Sequence, residues 1–202
     1  MKKVLSIAGS DCSGGAGIQA DLKTFSAHGV YGMSVIVSVV AENTGRVIGI
    51  QDISADMIGK QIDAVFEDIE VDAVKVGMLS TPDCMEEAAK AIRTMGCRAV
   101  IVKGGHAAGN AVDVLFDGEE ICHFDTARIN TKNTHGTGCT FSSAVASQLA
   151  RGMGIREAVQ KAKDYVTMAI EHSLDIGKGC GPTHHFWHLY QYGLQEGRDG
   201  GK

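Results

Sequence analysis

At 202 residues, 44% apolar and 21% charged, the chain is long enough to bury one sizeable globular core. A net charge of -5 without any basic cluster argues against a nucleic-acid partner, and no apolar run is long enough to span a bilayer. Six scattered cysteines without a CxxC pair suit reduced thiols better than a disulfide framework or a zinc site, so a cytoplasmic protein is expected.

In chain order, short β-branched runs alternate with amphipathic stretches. Residues 4–8 predict a buried strand, followed by a glycine-rich loop over 9–17 and a helix over 18–28. A second strand is expected over 34–40. Apolar residues at helical spacing (Met57, Ile58, Ile62, Val65, Phe66 and Ile69) predict a helix over 55–69. Strands over 71–78 and 99–103 flank a helix over 82–95. Residues 112–116 and 120–124, joined through Asp117-Gly118, predict a hairpin. Two further helices follow, one after Cys139 and one over 155–174. Strands alternating with helices imply an α/β fold with a mostly parallel sheet covered on both faces. One domain over 1–194 is expected, with a disordered tail over 195–202.

In such folds ligands sit at the carboxyl ends of the strands, which directs attention to five segments. The first, Gly9-Ser10-Asp11-Cys12-Ser13-Gly14-Gly15-Ala16-Gly17, suits a wall lying flat against a small ligand, yet it lacks the Gly-Lys-Ser/Thr ending of a P-loop. A strand-to-helix turn with unusual backbone angles explains it equally well. The second, Ala41-Glu42-Asn43-Thr44, offers a carboxylate that could accept hydrogen bonds from a planar heterocycle with an exocyclic amine. A surface glutamate ending a strand is the plainer reading. The third, Lys75-Val76-Gly77-Met78-Leu79, provides a glycine and an apolar wall, and the fourth, Val102-Lys103-Gly104-Gly105-His106, provides a lysine that could face phosphates.

The fifth segment, Asn133-Thr134-His135-Gly136-Thr137-Gly138-Cys139-Thr140, precedes an apolar stretch over 141–149. Amides at a helix start lack helical partners and the helix dipole favours an anion there, while a cysteine in the same field is expected to ionise more easily. The histidines His135, His184 and His185 have no HExxH spacing and no carboxylate in register, so a zinc site is not expected.

Taken in this order, with Ile18-Gln19-Ala20-Asp21 after the first loop and Gly181-Pro182-Thr183-His184-His185-Phe186 near the end, these segments are specific as a set. The chain resembles the hydroxymethylpyrimidine/phosphomethylpyrimidine kinases of thiamine biosynthesis, members of the ribokinase superfamily, over nearly all of its length. The resemblance implies a ribokinase-like three-layer α/β/α sandwich with a mostly parallel central sheet. It implies ATP and Mg2+ as cofactors, a small-molecule pyrimidine substrate, and a homodimer. The implied reaction is phosphorylation of 4-amino-5-hydroxymethyl-2-methylpyrimidine and then of its monophosphate.

Carried over by motif, Cys139 takes the place of the base for the substrate hydroxyl, and Lys103 that of the lysine near the nucleotide phosphates. The amides of Gly136, Thr137, Gly138 and Cys139 match the anion hole. Glu42 and Met78 match pyrimidine-contacting positions, with Gly9, Ala16, Asp21 and Val40 lining the same pocket. Metal ligands stay unassigned. A pyridoxal kinase of the same superfamily and a non-catalytic pyrimidine-binding protein are the alternatives.

One departure stands out. Family members normally carry, between the strands over 71–78 and 99–103, a further strand with an Asp-Pro-Val type motif, a mobile loop, a helix, and a strand ending in Thr-Pro-Asn. Here Pro82 and Pro182 are the only prolines, and neither motif is present. A true loss would expose apolar sheet edges, which favours a segment omitted near Met85 over a real deletion.

Overall fold

The structure, a computed structural model, describes residues 1–77, 99–103 and 110–193. Met78, the helix expected over 82–95, the glycine pair at 104–105 with His106, and the tail lie outside the described residues. Eight strands are described: β1 (Lys3–Ala8), β2 (Tyr31–Ile36), β3 (Ser38–Asn43), β4 (Arg46–Asp52), β5 (Ala73–Val76), β6 (Val100–Val102), β7 (Asp113–Phe116) and β8 (Ile121–Phe124). The helices are α1 (Gly17–Ala27), α2 (Ala55–Asp68), α3 (Thr137–Ala150), α4 (Ile155–Glu171) and α5 (Trp187–Tyr192).

The central piece is a parallel sheet in the order β2-β1-β5. Successive strand residues face opposite sides, so β1 serves two layers at once. Leu5 and Ile7 join Met33, Val35, Val37 and Ile58 of α2 in one core, while Val4 meets Phe25 of α1 and Ala146 and Ala150 of α3 in another. This is the three-layer α/β/α arrangement. α2 starts where the Ser54 hydroxyl accepts from the Met57 amide, and its Ile58 is completely buried.

The antiparallel β6-β7-β8 meander packs against α3 and α4 through Leu115, Phe124, Phe141, Ala144 and Val159. The hairpin of β7 and β8 falls where the Asp117-Gly118 signal placed it. Among the described residues the two three-stranded sheets are not joined by a shared strand, the interruption falling between β5 and β6.

The second expected strand differs most from its sequence reading. Rather than one strand over 34–40, the chain leaves the parallel sheet at Val37, whose amide bonds the Ala8 carbonyl, and continues as the antiparallel ribbon of β3 and β4. Its turn is set by Asn43, whose Oδ1 accepts from the amides of Gly45 and Arg46. Glu42 therefore stands within a ribbon strand. β4 was not legible because all seven of its residues are exposed and it carries no buried face.

Candidate active site

The loop after β1 folds around one carboxylate. Asp11 Oδ1 accepts from the Ser13 amide and hydroxyl, both at 2.7 Å. Its Oδ2 accepts from the amides of Gly15 (2.9 Å) and Ala16 (2.7 Å), and pairs with His135 Nε2 at 2.8 Å. Burial raises the Asp11 pKa, but these hydrogen bonds outweigh it and hold the carboxyl at about 2. Gly9 packs against Ser38 of β3, and the Ser10 hydroxyl bonds the Val40 amide, which joins the loop to the ribbon. Cys12 completes this seam, its thiol bonding the Glu42 carbonyl and accepting from the Glu42 amide.

On the other side the loop abuts the start of α3. Gly136, the N-cap residue, has φ 79°, and a Cβ there would come within 1.7 Å of the Gly15 carbonyl oxygen. Gly17, with φ 55°, would likewise drive a Cβ into the Gly9 carbonyl at 2.4 Å. Only glycines let these two backbones approach so closely. Thr140 anchors the first turn from behind, its hydroxyl bonding the Gly136 carbonyl and His185 Nε2. Burial, with Lys23 and His184 adding to it, lowers the His185 pKa to about 4, so this imidazole is neutral at neutral pH.

α3 begins at Thr137, so Thr137, Gly138 and Cys139 form its first turn, where amides have no partner within the helix. The Thr137 amide is drawn towards the Thr134 carbonyl at 3.3 Å, a long bond. Cys139 is half-buried. Burial pushes its thiol up from the ordinary value, the Lys75 ammonium opposes that, Asp21 adds to it, and the Gly17 amide donates towards the sulfur. The sequence expectation of an easily ionised thiol is thereby corrected, because removal from water outweighs the favourable charges nearby.

Asp21 lies beneath the loop, out of contact with solvent. It is fully buried, accepts from the hydroxyls of Ser6 and Ser143, and pairs with Lys75 at 2.7 Å. Lys75 had no role assigned from sequence, since a strand lysine gives no local sign of a partner 54 residues away. Glu42 stands close to Asp11 and His135, their ligand atoms all within 4.8 Å of one another. Burial and the Asp11 charge raise the Glu42 pKa, with His135 opposing them. Meeting of His135 with two carboxylates was not legible, because they come from three separate segments. The three do not make a magnesium site, since both Asp11 oxygens already accept N–H or O–H groups.

A cavity of about 580 Å³ opens on the far side of the same turn, with Lys103, Asp113, Ala127, Thr134, Thr137 and Lys163 among its lining residues. Lys163 bonds Asp113 at 2.7 Å and the Ala111 carbonyl, whereas Lys103 stands 3.4 Å from Asp113 and 3.5 Å above the Phe141 ring. Burial lowers the Lys103 pKa, Asp113 raises it and Lys163 lowers it. Among the described residues Asp113 is the one carboxylate lining this cavity, and two lysines hold it, so the residues here do not fit a magnesium site.

A glycine-rich loop and a cavity of about 580 Å³ that meet at the start of one helix, on a three-layer α/β/α frame, fit a ribokinase-like small-molecule kinase. The family model for phosphomethylpyrimidine kinase matches residues 11–87 and 80–184. The chain belongs to that family, and with it to the phosphotransferases of thiamine biosynthesis. It is 40% identical to a hydroxymethylpyrimidine/phosphomethylpyrimidine kinase of Rhizobium meliloti, over 90% of this chain and 96% of the relative.

In structure it is similar to a Bacillus subtilis pyridoxal kinase in an ADP complex, with a TM-score of 0.84 and 34% identity over 92% of this chain and 98% of the other. It is also similar to a phosphomethylpyrimidine kinase of Clostridium difficile, with a TM-score of 0.72 and 34% identity over 84% and 100% of the two chains. The R. meliloti alignment runs over 255 positions, more than the 202 residues present, so part of that relative has no counterpart here. The two matched pieces of the family model meet over 80–87, at the interruption expected near Met85.

Proposed function

We propose that the chain transfers the γ-phosphoryl group of ATP to the hydroxymethyl oxygen of 4-amino-5-hydroxymethyl-2-methylpyrimidine, and then phosphorylates the resulting monophosphate. One observation carries this reading: the turn over 134–139 bears Thr134 and Thr137 on the wall of the 580 Å³ cavity and Cys139 beside the Gly17 amide of the acceptor loop. Donor and acceptor sites are thus back to back across the helix start.

In the first step the Cys139 thiolate takes the hydroxyl proton as the oxygen attacks the γ-phosphorus, and the bond to the ADP oxygen breaks. The amides at Gly138 and Cys139, together with the positive end of α3, offset charge on the transferring group. A raised thiol pKa leaves less thiolate at neutral pH but makes that thiolate a stronger base. Lys103 supplies a mobile charge for the nucleotide phosphates. Glu42, Val40, Gly9 and Ala16 wall the pyrimidine pocket, with the Glu42 carboxylate accepting from the ring amine. Magnesium enters this reading only as the counter-ion that the nucleotide brings.

A homodimer also belongs to this reading. It is supported by the exposed Val39, Val47, Ile48 and Ile50 of the ribbon, an apolar group on a two-stranded element. Light scattering on the purified chain checks it, a single monomer mass being the contrary result.

Pyridoxal is the rival acceptor, favoured by the likeness to the B. subtilis pyridoxal kinase. Turnover of ATP with each acceptor separates the two. The Glu42 carboxylate predicts a kcat/KM for the aminopyrimidine at least about tenfold above that for pyridoxal; the reverse order would assign the chain to pyridoxal. Tight pyrimidine binding without any turnover would instead identify a non-catalytic pyrimidine-binding protein.

A further inference from the structure

We propose that Asp11 and His135 act as a positioning pair that registers the acceptor loop against the transfer turn, so that the alignment of Cys139 with its substrate depends on them. The inference rests on the kinase reading above. An aspartate that only closed its own loop would need partners within that loop, and Asp11 has them in Ser13, Gly15 and Ala16. Its Oδ2 goes further and meets a side chain 124 residues away, at the entrance of the transfer turn.

That side chain is itself held, because the His135 amide bonds the Gly181 carbonyl and the ring lies against Gly15, where a Cβ would come within 2.4 Å of His135 Cδ2. The two backbones meet through glycines on both sides, Gly15 and Gly136, leaving no slack for side chains to take up. A shift of the loop is therefore passed to the Gly17 amide and from there to the Cys139 sulfur. The same pair borders Glu42, so pyrimidine pocket and transfer turn share one fixed point. Asp11 is only 1% exposed and its oxygens are fully engaged, which makes it a bearing for these parts rather than a ligand for substrate.

The test uses the full chain and the variants H135A and H135Q. A glutamine amide can still donate to Asp11, whereas alanine cannot. His135→Ala is expected to lower kcat on the order of 100-fold with KM for ATP changed less than about twofold. His135→Gln is expected to recover about tenfold or more of that loss. Equal impairment of the two variants, an unchanged kcat, or a loss fully explained by unfolding at the assay temperature would overturn the proposal.

A second readout does not require turnover: alkylation of Cys139 by iodoacetamide at neutral pH, followed by peptide mass spectrometry. Loss of the Gly17 contact should slow alkylation several-fold in H135A, with H135Q close to the parent. Equal rates in all three proteins, or a faster rate in H135A, would overturn the pair whatever the acceptor proves to be. A parent chain that phosphorylates no pyrimidine yet shows this alkylation pattern would sink the kinase reading and leave the pair standing.

Discussion

The two sides of the transfer turn are built differently. On the acceptor side, Asp11, Asp21, Lys75 and Ser143 are buried, short hydrogen bonds link β1, α1, β5 and α3, and two glycines, Gly17 and Gly136, sit where a Cβ would strike backbone. On the cavity side Asp113, the one lining carboxylate among the described residues, is shared by a close lysine, Lys163 at 2.7 Å, and a more distant one, Lys103 at 3.4 Å. In the proposed reaction, rigid registration would surround the reacting atom while paired lysines would face the phosphates. Perturbing the first side should cost folding and transfer; perturbing the second should cost nucleotide affinity.

The largest effect is expected from Lys75→Met, which leaves the fully buried Asp21 without its cation. Breaking a buried pair in this way costs about 3–5 kcal/mol, readable as a lower denaturant midpoint. A change below about 1 kcal/mol would mean that the acceptor side is not held together by this pair. Next, Glu42→Gln should raise KM for the aminopyrimidine about tenfold, since one acceptor site becomes a donor facing the ring amine. KM for ATP should stay as it was, and a matching rise there would blur the distinction between the two sides.

Lys163→Met should have a smaller effect, raising KM for ATP about threefold to tenfold. Without Lys163, Asp113 would draw Lys103, already paired with it at 3.4 Å, closer and hold more of its charge back from the nucleotide. An unchanged KM for ATP would show that Lys103 does not serve the nucleotide phosphates in this cavity. The pH profile offers a gentler perturbation. Because burial raises the Cys139 thiol, thiolate accumulates as pH rises, so kcat for the hydroxymethyl substrate should climb through neutral pH and flatten only above the ordinary thiol range. Asp11 has the opposite sign: its folded pKa of about 2 lies below the ordinary aspartate value of 3.8, so its stabilising contribution is present above that value and fades as pH falls towards 2. Acid unfolding of Asp11→Asn should therefore lose part of the parent's pH dependence in that window.

How much of this was legible in the sequence follows the range of each interaction. α2 and the β7–β8 hairpin carry their own periodicity and turn signals, and both appear within a residue or two of expectation. The glycine loops announced close backbone approach, but not that Gly136 would abut Gly15 from a segment over a hundred residues away. The Asp11–His135 and Asp21–Lys75 pairs had no local sign at all, because each joins residues that only the sheet order brings together. The direction of the Cys139 shift was missed for the same reason. Position at a helix start is visible in sequence, whereas the burial that overrides it arises only in the folded chain, where distant segments such as those of Gly17 and Lys75 come near the thiol.

The most direct test compares the two phosphorylations in the parent and in Cys139→Ala. The hydroxymethyl oxygen must lose a proton to attack, whereas the phosphate of the monophosphate is already anionic. With Cys139 as the base, the variant should lose on the order of 100-fold to 10,000-fold in the first transfer and far less in the second. Equal losses in both steps, or an undiminished first step, would contradict the assignment of the turn over 134–139 as the place where that proton is taken.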